Sequence, residues 1–164
     1  MITCEIPPIR MLVLTLTGRC NFKCLYCYAS EQDPFDMTEE TAIAAVALAH
    51  VSKNQFLLQF SGGEPLLQFP LIRKVVDFVE KNHVNAQMQI QTNGALLTKD
   101  IGKWLFDHNV GIGISCDGRP ELMNSLRVSK DGDRSSQKVI QAFQNLGESN
   151  IEAGITCVVT DDTV

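Results

Sequence analysis

The 164-residue sequence has no long apolar run. The longest, Ala42 to Ala49, is much too short to cross a bilayer, and the N-terminus lacks the charged-then-apolar order of a secretory signal. A basic excess is missing too: 14 Lys and Arg stand against 19 Asp and Glu, for a net charge of −5. That balance argues against a general phosphate-backbone binder, although a local basic groove stays compatible with it, and no nucleic-acid partner is implied. There is no low-complexity linker or break in composition, so residues 1–164 are expected to form one domain. The three histidines, His50, His83 and His108, are scattered without any spacing that recommends them as ligands or bases. These absences leave a cytoplasmic enzyme-like chain, in a compartment where thiols stay reduced and free to bind metal.

What is present is a cluster of thiols. Cys20, Cys24 and Cys27 lie in Gly18-Arg19-Cys20-Asn21-Phe22-Lys23-Cys24-Leu25-Tyr26-Cys27-Tyr28, directly after the strand-like run Met11 to Leu16. Three closely spaced thiolates can hold an iron-sulfur cluster, and a cubane needs four ligands, so one iron would stay open for another molecule. A structural zinc site would need a second Cys or His pair, and none follows. A disulfide framework is weaker still, because a chain of this length can build a core without staples. The other cysteines, Cys4, Cys116 and Cys157, are expected to be buried small apolar residues rather than ligands of a second cluster.

Short apolar runs alternate with longer helical ones, the pattern of repeated βα units around a parallel sheet. Strands are expected near 11–17, 55–61, 86–93, 110–115 and 153–160, and helices near 38–53, 70–82, 98–108 and 136–147. Thr38, Thr98 and Ser136 suit helix N-caps, Pro70 a first helical position, and Gly147 a helix end, while Trp104 falls on an apolar stripe and reads as core. Along the strands the two faces differ. Leu12, Leu14 and Leu16, then Phe56, Leu58 and Phe60, then Met88 and Ile90, then Val110, Ile112 and Ile114 make one greasy face. The opposite face carries Val13, Thr15, Thr17, Gln55, Leu57, Gln59, Ser61, Gln87, Gln89, Gln91, Asn93, Gly111, Gly113 and Ser115. If helices cover the greasy face, the polar one lines the concave side and is built for a polar ligand. The alternative is a half-exposed sheet whose polar face meets solvent.

The spacing Cys-x3-Cys-x2-Cys followed by aromatic Tyr28 resembles the signature of radical S-adenosylmethionine (radical SAM) enzymes. Ser61-Gly62-Gly63-Glu64-Pro65 looks like that family's GGEP motif. Gln91-Thr92-Asn93-Gly94 and Gly113-Ile114-Ser115-Cys116-Asp117-Gly118 resemble the ends of its third and fourth strands. The resemblance runs in order from Leu12 to about Leu146. It implies an α/β fold: a partial (β/α) barrel with a parallel sheet of about five strands, helices on its outer face, incomplete at the C-terminus. It also implies that Cys20, Cys24 and Cys27 bind three irons of a [4Fe-4S] cluster and that S-adenosylmethionine chelates the fourth. One electron would then split the sulfonium bond, giving a 5′-deoxyadenosyl radical that takes a hydrogen atom from substrate.

By the same resemblance, Gly62, Gly63, Glu64 and Pro65 hold the methionine ammonium, Ser115 and Arg127 bind its carboxylate or the ribose, and Tyr28 packs beside cluster and adenine. Asn93 and Asp117 complete the implied cofactor set. Each has a plainer alternative: a helix-start carboxylate for Glu64, an ordinary salt bridge for Arg127, and turn formation for Asn93 and Asp117. The chain is most similar to the sulfatase-maturase-like group that modifies peptides and proteins, whose members often carry a SPASM domain after the barrel. Two departures stand out: Met123-Asn124 replaces a His-Asp pair common before the arginine, and no cysteine-rich domain follows.

Ending at Thr160-Asp161-Asp162-Thr163-Val164, the sheet should leave an open edge. The expectation is a truncated or naturally abbreviated protein, or a dimer or further domain covering that edge. The expected function is a radical SAM oxidoreductase core acting on a peptide or protein, with an electron donor such as flavodoxin or ferredoxin. The alternative is a metal-binding module without activity of its own.

Overall fold

The computed structural model describes residues 8–29 and 34–159. Its elements in order are β1 (Met11–Thr15), β2 (Phe22–Cys24), α1 (Glu39–His50), β3 (Phe56–Ser61), α2 (Phe69–Lys81), β4 (Ala86–Thr92) and α3 (Lys99–Asp107). There follow β5 (Val110–Ser115), α4 (Pro120–Leu126), β6 (Arg127–Ser129), α5 (Ser135–Gly147) and β7 (Gly154–Thr156). The main sheet is parallel throughout, in the order β1-β3-β4-β5-β7, and β2 pairs with β6 in a separate antiparallel ribbon. This is the expected five-stranded α/β architecture.

The sheet follows from its alternating faces. Leu14, Phe56, Leu58, Phe60, Ile90, Ile112 and Ile114 are buried against Val46 of α1, Ile72 and Val76 of α2, Leu105 of α3 and Val139 and Leu146 of α5. Removing one large member of this layer, such as Phe60, is expected to cost about 3–5 kcal/mol through lost transfer energy and the cavity left behind. The opposite face forms a hollow of about 560 Å³ lined by Gln59, Gln89, Gln91, Gly111, Gly113, Gly154 and Thr156. Its amides bond to one another and to their neighbours. Gln89 Nε2 donates to Gln59 Oε1 (2.8 Å), Gln91 Nε2 to Ser115 Oγ (3.1 Å), and Thr156 Oγ1 to Gln91 Oε1 (3.0 Å).

Local signals behave as expected at two helices: Thr38 accepts from the Thr41 amide and Thr98 from the Ile101 amide. Trp104 packs edge-on to Phe69 and beside His108 at the rim of the core. The start of α5 differs. It begins at Ser135, not Ser136, and no side chain at its preceding residue caps it. Asn124 of α4 supplies the missing acceptor, its Oδ1 taking the Ser136 amide at 3.1 Å, while Ser135 Oγ donates to the Met123 carbonyl at 3.0 Å.

The sequence expectation also lacks β2, α4 and β6. These are three to seven residues long, too short for periodicity to register. β1 stops at Thr15 because Thr17 leaves the ladder to bridge Asp36. The expected last strand is confined to Gly154–Thr156, and its residue 160 lies outside the described residues. No helix among the described residues is long and apolar enough to cross a membrane.

Candidate functional site

Strand ends assemble the site. Beyond the β1–β3 ladder, the Gly63 amide donates to the Thr17 carbonyl (2.8 Å) and the Glu64 amide to the Arg19 carbonyl (2.9 Å), fastening the Gly62-Gly63-Glu64 turn to the start of the cysteine loop. The approach is too close for side chains. At Gly62, whose φ is +143°, a Cβ would sit 2.6 Å from the Thr17 oxygen, and at Gly63 one would collide with the Arg19 carbonyl and press on Cys20.

The far end of the loop is held by the ribbon. Phe22, Lys23 and Cys24 pair with Ser129, Val128 and Arg127, and the Leu25 amide donates to the Leu126 carbonyl at 2.8 Å. Asn93, after β4, ties the near end: its Nδ2 donates to Asn21 Oδ1 at 2.7 Å and lies 3.7 Å from Cys20 Sγ, while its Oδ1 accepts from the Ala95 amide. Asn93 therefore makes the turn and reaches the site at once.

A cavity of about 290 Å³ lies over the loop, lined by Cys20, Cys24, Cys27, Tyr26, Tyr28, Ser61, Gly62, Gly63, Gln91, Asn93, Ser115, Arg127, Thr156 and Val158 among others. Among the described residues its lining contains no carboxylate, and Arg127 is the one charged side chain. Burial pushes the Cys24 thiol up to about 11 even though the nearby Arg127 cation pulls it down, and burial likewise raises Cys20. Metal ligation offsets such a penalty, since a bound cation favours the thiolate. Among the described residues no three His, Cys, Asp or Glu side chains come together around one point as a single metal ion would require. A cubane asks for something else, one thiolate on each of three separate irons, and three thiols on the wall of one cavity fit that group.

Three residues expected to touch a cofactor are set behind this wall. Glu64 is 0% exposed and acts as a helix-start carboxylate. Its Oε1 accepts from the Leu66 amide (3.1 Å) and Thr92 Oγ1 (2.6 Å), and its Oε2 from the Asn93 amide (2.8 Å). Burial raises its pKa, opposed by those three hydrogen bonds. Pro65 is buried at the start of the short 3-10 turn that Glu64 caps. Asp117 is buried under Arg127, whose Nε and Nη2 donate to Asp117 Oδ2 (2.7 Å) and Oδ1 (3.0 Å). The Tyr26 hydroxyl donates to the same carboxylate, and the Val158 amide adds a bond of 3.1 Å.

Arg127 thus forms a buried ion pair, neither a surface salt bridge nor an unengaged carboxylate clamp. Ser115 and Gly113 lie on the lumen face as expected. Tyr28, expected beside the cofactors, is 86% exposed at the rim, and Tyr26 is the aromatic built into the wall. Its hydroxyl is held far above the ordinary phenol range by burial and by Asp117. Sequence reasoning passed over Tyr26, and its position between Cys24 and Cys27 was the available signal. Cys116 is half-buried as a small apolar residue, whereas Cys157 is exposed, because β7 has no neighbour on its outer side among the described residues. Cys4 lies outside the described residues.

Comparison with known proteins agrees with this geometry. A profile described as the Radical SAM superfamily matches residues 14–163. An uncharacterized protein of Methanocaldococcus jannaschii is 40% identical over 92% of the chain, and the match takes in 53% of that protein. The cysteine-type anaerobic sulfatase-maturating enzyme of Clostridium perfringens is 30% identical over 96% of the chain and 46% of the enzyme. The solved structure of native anSMEcpe with bound AdoMet and Kp18Cys peptide superimposes with a TM-score of 0.86 at 28% identity, over 96% of this chain and 45% of that one. The chain spans about half the length of the curated relatives it matches.

Proposed function

The chain belongs to the radical SAM superfamily, whose cofactors are a [4Fe-4S] cluster and S-adenosylmethionine, and from that premise we propose that it is a hydrogen-abstracting core acting on a peptide or protein. The single observation that carries this reading is the set of three thiols on one cavity. Cys20, Cys24 and Cys27 would hold the cluster, with Gly62, Gly63, Asn93 and Ser115 against the cofactor. When bound, these groups supply one-electron cleavage of a sulfonium bond and removal of a hydrogen atom from an unactivated carbon.

The chain's own residues do the positioning. Gly62 and Gly63 give the backbone room to approach the ligand, and the Arg127–Asp117 pair holds the loop carrying Cys24. The glutamine-lined hollow beside the cavity offers uncharged donors and acceptors, suited to peptide amides. The peptide assignment is supported by likeness to the sulfatase-maturating enzymes, one of which was solved with a peptide. A cytoplasmic setting and a one-electron donor of the flavodoxin or ferredoxin type complete the proposal, together with a dimer contact or a further segment beside β7.

A second reading is favoured by one observation, the half-length match to relatives: the isolated chain binds the cluster without turning over. The deciding experiment is 5′-deoxyadenosine and methionine formation by the anaerobically reconstituted, dithionite-reduced chain, with iron measured on the same sample. Products that disappear in Cys24→Ala are expected of a working core. A loaded cluster without products supports the binding-only reading, and full iron content in Cys24→Ala overturns the ligand assignment.

A further inference from the structure

Continuing the β5–β7 register one step past Ser115 and Thr156 sets Cys116 opposite Cys157. The register runs Gly113 with Gly154, Ile114 with Ile155 and Ser115 with Thr156. The Cys116 amide donates to the Thr156 carbonyl at 2.9 Å, which holds Cys116 against the end of β7, and the Val158 amide then turns to Asp117 Oδ1. Facing residues of neighbouring parallel strands project to the same side of the sheet. A strand separation of about 4.8 Å puts such Cα atoms inside the window of about 4.4–6.8 Å that a disulfide requires. Both cysteines are free thiols. Cys116 Sγ rests 3.5 Å from Met123 Sδ, and the exposed Cys157 Sγ lies 3.6 Å from the Val158 carbonyl.

We propose that Cys116 and Cys157 are a reversible thiol–disulfide pair, separate from the cluster loop, that responds to low-molecular-weight disulfides. The exposed Cys157 thiolate attacks one sulfur of the reagent, forming a mixed disulfide and releasing one thiolate. The Cys116 thiolate then attacks the Cys157 sulfur, closing the protein disulfide and releasing the second thiolate. The two protein thiols lose two protons and two electrons, and the reagent disulfide becomes two thiols.

Two features make this pair a responsive one. Parallel neighbours hold their Cβ atoms near the strand spacing, wider than the relaxed value of about 3.8 Å, so the closed bond is strained and readily reduced. The bond also reaches the site: Thr156 and Val158 line the cavity, and the Val158 amide bonds to Asp117. Closing it fastens the end of β7 to β5 at the cavity wall.

The test equilibrates the cluster-loaded chain anaerobically with reduced and oxidised glutathione at a series of ratios, then alkylates it, digests it without reduction and maps the peptides by mass spectrometry. The expected result is a Cys116–Cys157 linked peptide that grows with oxidised glutathione, vanishes on adding dithiothreitol and is absent from Cys157→Ser. The same link is expected in a chain carrying Cys20→Ser, Cys24→Ser and Cys27→Ser, which removes the loop thiols from competition. Full alkylation of Cys116 and Cys157 at every ratio, or linkage of Cys157 instead to Cys4, to a loop cysteine or to a second chain, would overturn the proposal.

Discussion

Cys24 and Arg127 face each other as the terminal pair of the β2–β6 ribbon. The middle cysteine of the loop and the cation that grips the end of β5 are therefore one mechanical unit. The Arg127 guanidinium lies 5.4 Å from the centre of the Tyr26 ring and forms a two-bond ion pair with Asp117, so strand end, ribbon and loop share a single polar knot.

Cutting that knot should be costly. Arg127→Ala leaves the Asp117 carboxylate buried without its cation, and a loss of about 3 kcal/mol in urea unfolding is expected. Arg127→Lys should recover only part of it, because one ammonium cannot reproduce the two-pronged contact. Equal stability of Lys and wild-type proteins would show that the fork geometry is not needed.

Gly63→Ala tests how the cysteine loop is seated. The added methyl meets the Arg19 carbonyl, which as backbone cannot simply turn away, and lies 3.1 Å from Cys20 Cβ. Iron content after reconstitution, read from the iron-dependent absorbance, should fall several-fold while the far-ultraviolet circular dichroism spectrum is kept. Normal iron loading would mean that the loop has slack this geometry does not show.

Asn124→Ala removes the acceptor at the start of α5, leaving the Ser136 amide without its partner. A loss of about 1 kcal/mol is expected, as for other helix caps. Asn124→Asp should keep or raise stability, since a carboxylate also suits a helix N-terminus. Chemical denaturation of the three proteins decides it.

Asp117 gives stability a pH dependence. Burial alone would raise its pKa, but the hydrogen bonds from Arg127, Tyr26 and the Val158 amide outweigh burial and hold the carboxyl below its ordinary value. A depressed folded pKa stabilises above the unfolded value of about 3.9 and ceases to do so as pH falls through the folded one. The urea midpoint should therefore drop as pH is lowered from about 5 to about 3, and Asp117→Asn should flatten that slope while lowering stability at neutral pH. An unchanged slope in the variant would assign the acid sensitivity to other carboxylates.

Much of the molecule was legible because its signals are local. Period-two alternation marked the main-sheet strands, and Thr38 and Thr98 marked two helix starts. Three cysteines within one short loop marked the candidate site. What escaped depends on contacts between distant segments. β2 and β6 are three residues each and exist only because they pair across more than a hundred positions. Ser136 looked like a cap until Asn124 was seen to supply the acceptor.

The site divides the same way. Gly62 and Gly63 were readable as places of close approach, yet the ladder with Thr17 and Arg19 that demands them is tertiary. Glu64, Asp117 and Arg127 carry residue types that serve ligands and buried networks equally well, and folding alone decides which polar atoms each of them meets. By itself the sequence determined the α/β sheet, its greasy and polar faces and the thiol set, because backbone geometry repeats over a few residues. Only the tertiary structure decided which charged groups face the cavity and which brace it from behind, because burial and pairing depend on neighbours that the chain brings together from far apart.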